Sequence, residues 1–219
     1  MPNLPGLFDS FDNLDRIPIE DIARWLKPQP NSTYIENFLA QRILYPATVP
    51  ITPQDLKIDL AILREAIRMS RLGHVPSGTW LGDKPFLNVT LRKILIPSKF
   101  LAFVPDLITI TWTFVDGLLL DRKGQDIFWG LWTIVLTGEI DEIIGSLLLP
   151  EFKDDGVLQL RVTGKTYQIR AGTLMVIPCS IKRCEVSFKI KGGKILGKEE
   201  LALEVYGGRL GIMVDGREK

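Results

Sequence analysis

Residues 157–170 read VLQLRVTGKTYQIR, and this stretch decides what the last third of the chain can be. Two short runs of strand-forming residues flank Gly164-Lys165, with Gly at a turn position, which is the pattern of a β-hairpin. The same texture continues to the C-terminus. TLMVIP (173–178), CEVSFKI (184–190), ELALEVY (200–206) and RLGIMVD (209–215) follow at short intervals, separated by Gly-containing turns. Short strands at this spacing predict a small all-β sandwich or barrel over 151–219.

Upstream of about residue 150 the texture is different. IPIEDIARWL (17–26) places Ile19, Ile22, Ala23 and Leu26 on one helical face. After the break at KPQPNS, Asn31 or Ser32 can cap a second helix with Ile35, Phe38, Leu39 and Ile43 as its apolar members. Thr52-Pro53-Gln54-Asp55 then supplies a cap, a first-turn proline and an acid favourable to the helix dipole. The third helix carries a stripe of Leu56, Leu60, Leu63 and Ile67, with Lys57, Asp59, Arg64 and Arg68 mostly off it, and Gly73 ends it. Leu87, Val89 and Leu91 alternate with Asn88, Thr90 and Arg92 as a strand. LITITWTFV (107–115) is β-branched and aromatic and reads as a buried strand. DIFWGLWTIVL (126–136) is ambiguous and is read as a helix. The division is thus a helical and α/β part (1–150) and an all-β part (151–219), an α+β chain.

The 219 residues suffice for one large or two small cores, and a net charge of +1 argues against a general polyanion binder. Charge is unevenly placed. Residues 182–198 carry six Lys/Arg against one Glu, and 139–155 carry six Asp/Glu against one Lys. The apolar stretch 101–150 is cut by Asp106, Asp116, Asp121, Asp126, Glu139, Asp141 and Glu142, too often for a membrane span. The N-terminal sequence has no basic and apolar secretory pattern. A cytoplasmic protein with Cys179 and Cys184 as two reduced thiols is expected, with a disulfide between them as the other possibility. His74 is the only histidine, so a four-ligand zinc site is not expected.

Two stretches are familiar together. The first is the turn Pro46-Ala47-Thr48-Val49-Pro50-Ile51-Thr52-Pro53 followed by a helix carrying Ala61, Arg64, Glu65, Ala66 and Arg68. The second joins residues 172–178, GTLMVIP, to residues 205–215, VYGGRLGIMVD. In order and position both resemble the C-terminal half of the glutamate mutase L family, accessory proteins of adenosylcobalamin mutases. That resemblance implies a degenerate second lobe of the actin-like (ribonuclease H-like) ATPase fold, followed by the β appendage. It also implies a missing first lobe. Where the family has a glycine-rich turn that admits adenosine, this chain has Leu87-Asn88-Val89-Thr90-Leu91-Arg92-Lys93-Ile94, whose branched side chains keep a nucleotide from the backbone.

One motif competes with this reading. In KGGKILGKEE (191–200), Gly192-x-x-x-x-Gly197-Lys198 meets all but the last requirement of a phosphate-binding loop. Glu199 stands where Ser or Thr would ligate magnesium, and Leu201, Leu203 and Val205 announce a strand where the motif needs a helix. The stretch is read as a β-turn. The basic run 182–198 has only Phe188 for stacking and is read as a solvated strand edge. His74 follows a helix end without a catalytic neighbour. Glu139, Asp141 and Glu142 solvate the end of an apolar element. Trp129 and Trp132, with Phe128, are core residues or a partner-binding patch.

No residue is therefore assigned a catalytic, cofactor-binding or metal-ligating role, and no cofactor is expected. The expected function is that of a non-catalytic accessory or interaction protein. Its partner would be a separate first-lobe subunit, a mutase subunit or a second copy of itself. The alternatives are an ATP-binding half-subunit completed by another chain, or an anion- or nucleic-acid-binding β module.

Overall fold

The computed structural model describes residues 7–8, 11, 14–73, 92–104, 106–119 and 130–217. They fall into two compact units, Met1–Pro85 with Lys99–Leu120 and Phe86–Ser98 with Asp121–Lys219. The strand expected at 87–91, His74, Phe128 and Trp129 lie outside the described residues.

The first unit is helical. Helix α1 spans Ile19–Ala23, α2 Ser32–Leu44, α3 Pro53–Gly73 and α4 Leu107–Leu119. The caps follow the sequence closely. Asn31 Oδ1 accepts from Thr33 N at 2.9 Å and starts α2. At the head of α3 the exchange is reciprocal, as in a capping box. Thr52 Oγ1 accepts from Asp55 N at 3.1 Å, and Asp55 Oδ2 accepts from Thr52 N at 2.9 Å. Ile22, Ala23, Leu26, Ile35, Phe38, Leu39, Leu60, Leu63 and Ile67 are buried as the periodicity predicts. Ile43 is not; it is exposed, and Arg42 occupies the buried position on that turn. Asp59 also departs from expectation, being fully buried rather than off the stripe.

The segment 107–115, read from its composition as a strand, is helical in α4. Asp106 decides this, because its carboxylate accepts from Ile108 N at 3.3 Å and Thr109 N at 2.9 Å, a helix N-cap, and also accepts from the Thr109 hydroxyl. Within the helix, Thr111 and Thr113 donate to the carbonyls of Leu107 (2.7 Å) and Thr109 (2.9 Å). The buried hydroxyls are thereby satisfied and the β preference of Thr is overridden. Gly117 lets α4 approach α3, since a Cβ there would sit 2.8 Å from Arg64 O and from Ile67 Cβ.

The second unit is all strand. Its first sheet has the order β1-β2-β3-β9-β6, formed by Arg92–Pro97, Gly130–Thr137, Glu142–Leu149, Gly211–Asp215 and Leu174–Ile177. The sheet is mixed, with β1 parallel to β2 and β3 parallel to β9, while β2–β3 and β6–β9 are antiparallel. The second sheet, β5-β4-β7-β8, is antiparallel throughout, formed by Lys165–Arg170, Glu151–Val162, Cys184–Lys194 and Glu200–Val205. Leu131, Leu148, Ile177, Ile212 and Val214 of the first sheet share one core with Leu158, Leu160, Ile169, Val186, Phe188 and Ile190 of the second.

The chain is thus α+β, and residue 150, where a division was expected, lies between β3 and β4 inside the second unit. The C-terminal strands are dealt between the two sheets, with β6 and β9 joining β1–β3. Residues 130–136, read as helix, lie in β2. That strand is flanked by β1 and β3 and is mostly buried, so its apolar run lacks the alternation that marks a half-exposed strand. The hairpin is present, with its loop one residue earlier than the Gly164-Lys165 read from the sequence. Val162 pairs with Lys165, and the two loop residues Thr163 and Gly164 have φ of 47° and 82°, a turn whose twist suits a two-residue hairpin.

Candidate functional site

The near-match to a phosphate loop is the β7–β8 turn. Leu196 and Gly197 have φ of 53° and 75°, and Ile195 and Lys198 exchange backbone hydrogen bonds of 2.9 and 3.0 Å across them. A strand follows, so no helix N-terminus is available to hold phosphate.

The basic run does not lie on a sheet edge. β7 sits between β4 and β8, and its residues alternate strictly, with Val186, Phe188 and Ile190 buried and Glu185, Ser187, Lys189 and Lys191 exposed. The cations are interleaved with acids on the neighbouring strand. Lys189 meets Glu200 at 3.5 Å and Arg183 meets Glu204 at 3.3 Å. This face therefore mixes cations with acids and carries few aromatics. The acids at the β2–β3 turn are exposed too, with Glu142 accepting from Arg209 at 3.3 Å. Trp132 is half-buried in β2.

The helical unit holds the densest set of charged side chains, and sequence reasoning missed it. Glu65 is fully buried and takes three donors: Arg24 Nη2 (2.6 Å), Trp25 Nε1 (2.7 Å) and Arg68 Nε (2.6 Å). Arg68 reaches on to Asp21, and Arg64 Nε donates to Asp116 Oδ2 at 3.0 Å, joining α3 to α4. A second pair is buried elsewhere on α3, with Arg42 Nε and Nη2 bonding Asp59 Oδ1 and Oδ2 at 2.6 and 2.8 Å. Burial pushes the Asp59 carboxyl above its ordinary range, and the hydrogen bond and charge of Arg42 oppose that push. Each of these carboxylates is committed to guanidinium or indole donors. The cluster is therefore suited to fixing helix geometry, not to proton transfer. Arg64, Glu65 and Arg68 belong to the helix motif singled out in the sequence, so the motif has a structural use here.

Three cavities of note open among the described residues. The largest of these three, about 790 Å³, lies beside the β4 bulge between Phe152 and Val157 and sets Asp155 near Arg170 and Arg217. Arg217 is tied by Nε and Nη2 to the fully buried Asp215, both at 3.0 Å. Among its described lining, the cleft offers charges of both signs, Asp155 against Arg170 and Arg217. A second cleft of about 500 Å³ is lined in part by Arg161, Arg183 and Cys184. Among the described residues, no group of three or more His, Cys, Asp or Glu could hold a metal ion. No described helix is long and apolar enough to cross a membrane.

The third cavity, about 240 Å³, lies in the helical unit. It is lined by the apolar side chains of Tyr34, Phe38, Val49 and Ile51, together with polar residues such as Gln41 and the charged Arg42 and Asp55, where α2 gives way to the turn that leads into α3. Of its lining, Val49 is 53% and Ile51 90% exposed and Tyr34 is outward too, and the neighbouring end of α2 exposes Ile43, Leu44 (71%) and Tyr45 (65%). Residues 43–54, ILYPATVPITPQ, carry no charge, and the flanking Arg42 is spent on Asp59. Scattered exposed apolar residues are ordinary, but several gathered round one groove mark an interaction surface.

No family model, no curated protein and no solved structure matches this chain.

Proposed function

We propose that this chain is a non-catalytic interaction protein that binds a protein partner through the α2–α3 connection. The observation that carries this reading is the outward set Leu44, Tyr45, Val49 and Ile51 along the α2–α3 connection, where Val49 and Ile51 line a groove with Phe38. Aromatic and branched side chains at the centre of a patch supply most of the energy of protein association, because they lose the most water on contact. The absence of charge over 43–54 favours an apolar partner surface over nucleic acid, whose phosphates demand cations.

The same segment carries the resemblance to the accessory proteins of adenosylcobalamin mutases. On that ground the proposal extends to a relative of those proteins, a degenerate second actin-like lobe with its β appendage. A mutase subunit or a separate first-lobe chain is then the first partner to try. Size-exclusion chromatography with affinity capture from the native host tests the reading. A defined complex, lost when Tyr45 and Ile51 are changed to Asp, is the expected result. A strict monomer with no co-purifying protein would count against it.

A further inference from the structure

Both sheets of the second unit end on strands that pair on one side only among the described residues. β1 and β6 bound the first sheet, and β5 and β8 the second. Such an edge presents N–H and C=O groups that another strand can meet, and charged side chains are the usual guard against it. β1 carries Lys93, β5 carries Lys165 and Arg170, and β8 carries Glu200 and Glu204. β6 has no such guard. Residues 171–181, AGTLMVIPCSI, carry no charge, and within them Leu174 is 39% exposed while Met175 and Val176 are half-buried.

The hydrogen-bonding phase of β6 is set by β9. Gly216 N donates to Thr173 O at 2.9 Å, one step beyond the register pair of Leu174 with Asp215. Antiparallel alternation then turns the peptide groups of Met175 and Ile177 towards β9 and those of Leu174 and Val176 away from it. Met175 and Ile177 pack on the core shared with the second sheet, so the Leu174 and Val176 side chains lie on the opposite face. The open stretch is short. Gly172 N and Thr173 N are spent on Gly216 O (2.8 Å) and Arg170 O (3.1 Å), and Pro178 has no N–H to give.

We propose that β6 pairs antiparallel with β6 of a second copy of this chain, about a two-fold axis at Met175. In that register Leu174 stands opposite Val176 of the partner subunit, and the outward N–H and C=O groups of both are satisfied. Centring the pair on Val176 would set Leu174 against a proline that cannot donate. Centring it on Leu174 would set Val176 against a glycine whose N–H is already spent. A second copy suits this edge because the apposed side chains are apolar, a favourable cross-strand pair. Self-pairing of β5 or β8 would instead crowd like charges together. None of these residues belongs to the α2–α3 groove, so this contact and the one proposed there stand or fall separately.

Sedimentation of the full chain over a range of concentrations tests the pairing, and a reversible monomer–dimer equilibrium is expected. Val176→Pro removes only an outward N–H and should give a folded monomer. Leu174→Lys and Val176→Glu should each weaken self-association about tenfold. Mixed in equal amounts, those two variants should associate more tightly than either does alone, because the new ammonium and carboxylate face each other across the axis. The double variant Leu174→Lys/Val176→Glu should regain the dimer by itself, which separates loss of pairing from loss of fold. A wild-type chain that stays monomeric at every concentration, a dimer that survives Val176→Pro, or charged variants that fail to rescue one another would overturn the proposal.

Discussion

Arg42 and Asp59 form a two-point ion pair, 2.6 and 2.8 Å long, with both side chains almost wholly removed from water. Arg42 also lies over the Phe38 ring at 4.5 Å, so one guanidinium ties α2 to α3 and backs the floor of the apolar groove. Desolvation dominates the Asp59 carboxyl, so leaving it unpaired is costly. Arg42→Met should lose about 3–5 kcal/mol in urea unfolding at neutral pH. Replacing both partners, Arg42→Met with Asp59→Leu, should restore most of that loss, because no buried charge remains. A carboxyl whose folded pKa is raised adds stability at low pH and loses it as pH rises through that pKa. The single variant should therefore recover on acidification and the double variant should not. The measurement is the unfolding midpoint of each protein from neutral pH down to about pH 5.

Asp106 makes the opposite prediction. The hydrogen bond from the Thr109 hydroxyl is the main cause that holds its carboxyl below the ordinary range, helped by the Thr109 and Ile108 amides. A depressed pKa adds stability that is present above the unfolded value and is lost as pH falls through the folded one. Asp106→Ala should cost about 1 kcal/mol at neutral pH, the usual worth of an N-cap. The gap from wild type should close below about pH 3–4. Asp106→Asn should keep the cap and lose its acid sensitivity. Thermal melts of the three proteins at neutral and acid pH decide it.

The Cys184 thiol governs the alkaline side. Burial first, and then the Cys179 thiol, push its pKa from about 9 up to about 11. The folded pKa lies above the unfolded one, so the stabilisation is complete below about 9 and is lost as pH climbs towards 11. Wild type should lose stability over this interval more steeply than Cys184→Ala, in denaturant titrations kept under reductant. Parallel slopes would remove the effect.

The sequence announced local features well and distant ones poorly. The cap at Thr52–Asp55 and the glycine turn within 191–200 each depend on a few adjacent residues, and each is present, while the hairpin turn read at 164–165 lies one residue earlier, at 163–164. Two elements were misread for different reasons. In α4 the strand-like composition concealed an Asp106 cap and hydroxyls that bond back along the helix. In β2, burial between two neighbours erased the alternation that identifies a strand. The buried acids were beyond local reading, since Glu65 finds Arg24 and Trp25 some 40 residues away. The apolar groove was half visible. The turn 46–53 stood out as a motif, but only the fold shows that Val49 and Ile51 point away from the core.

The central claim is that the uncharged surface around Leu44, Tyr45, Val49 and Ile51 is where a partner binds. Its most direct test is the affinity of the co-purified partner for wild type and for Tyr45→Ala/Ile51→Ala, measured by calorimetry. These side chains are exposed, so the variant should melt within about 1 °C of wild type, as surface changes usually do. If they anchor the contact, loss of about 2 kcal/mol should weaken Kd roughly thirty-fold. An unchanged Kd in a variant that folds normally would contradict the account.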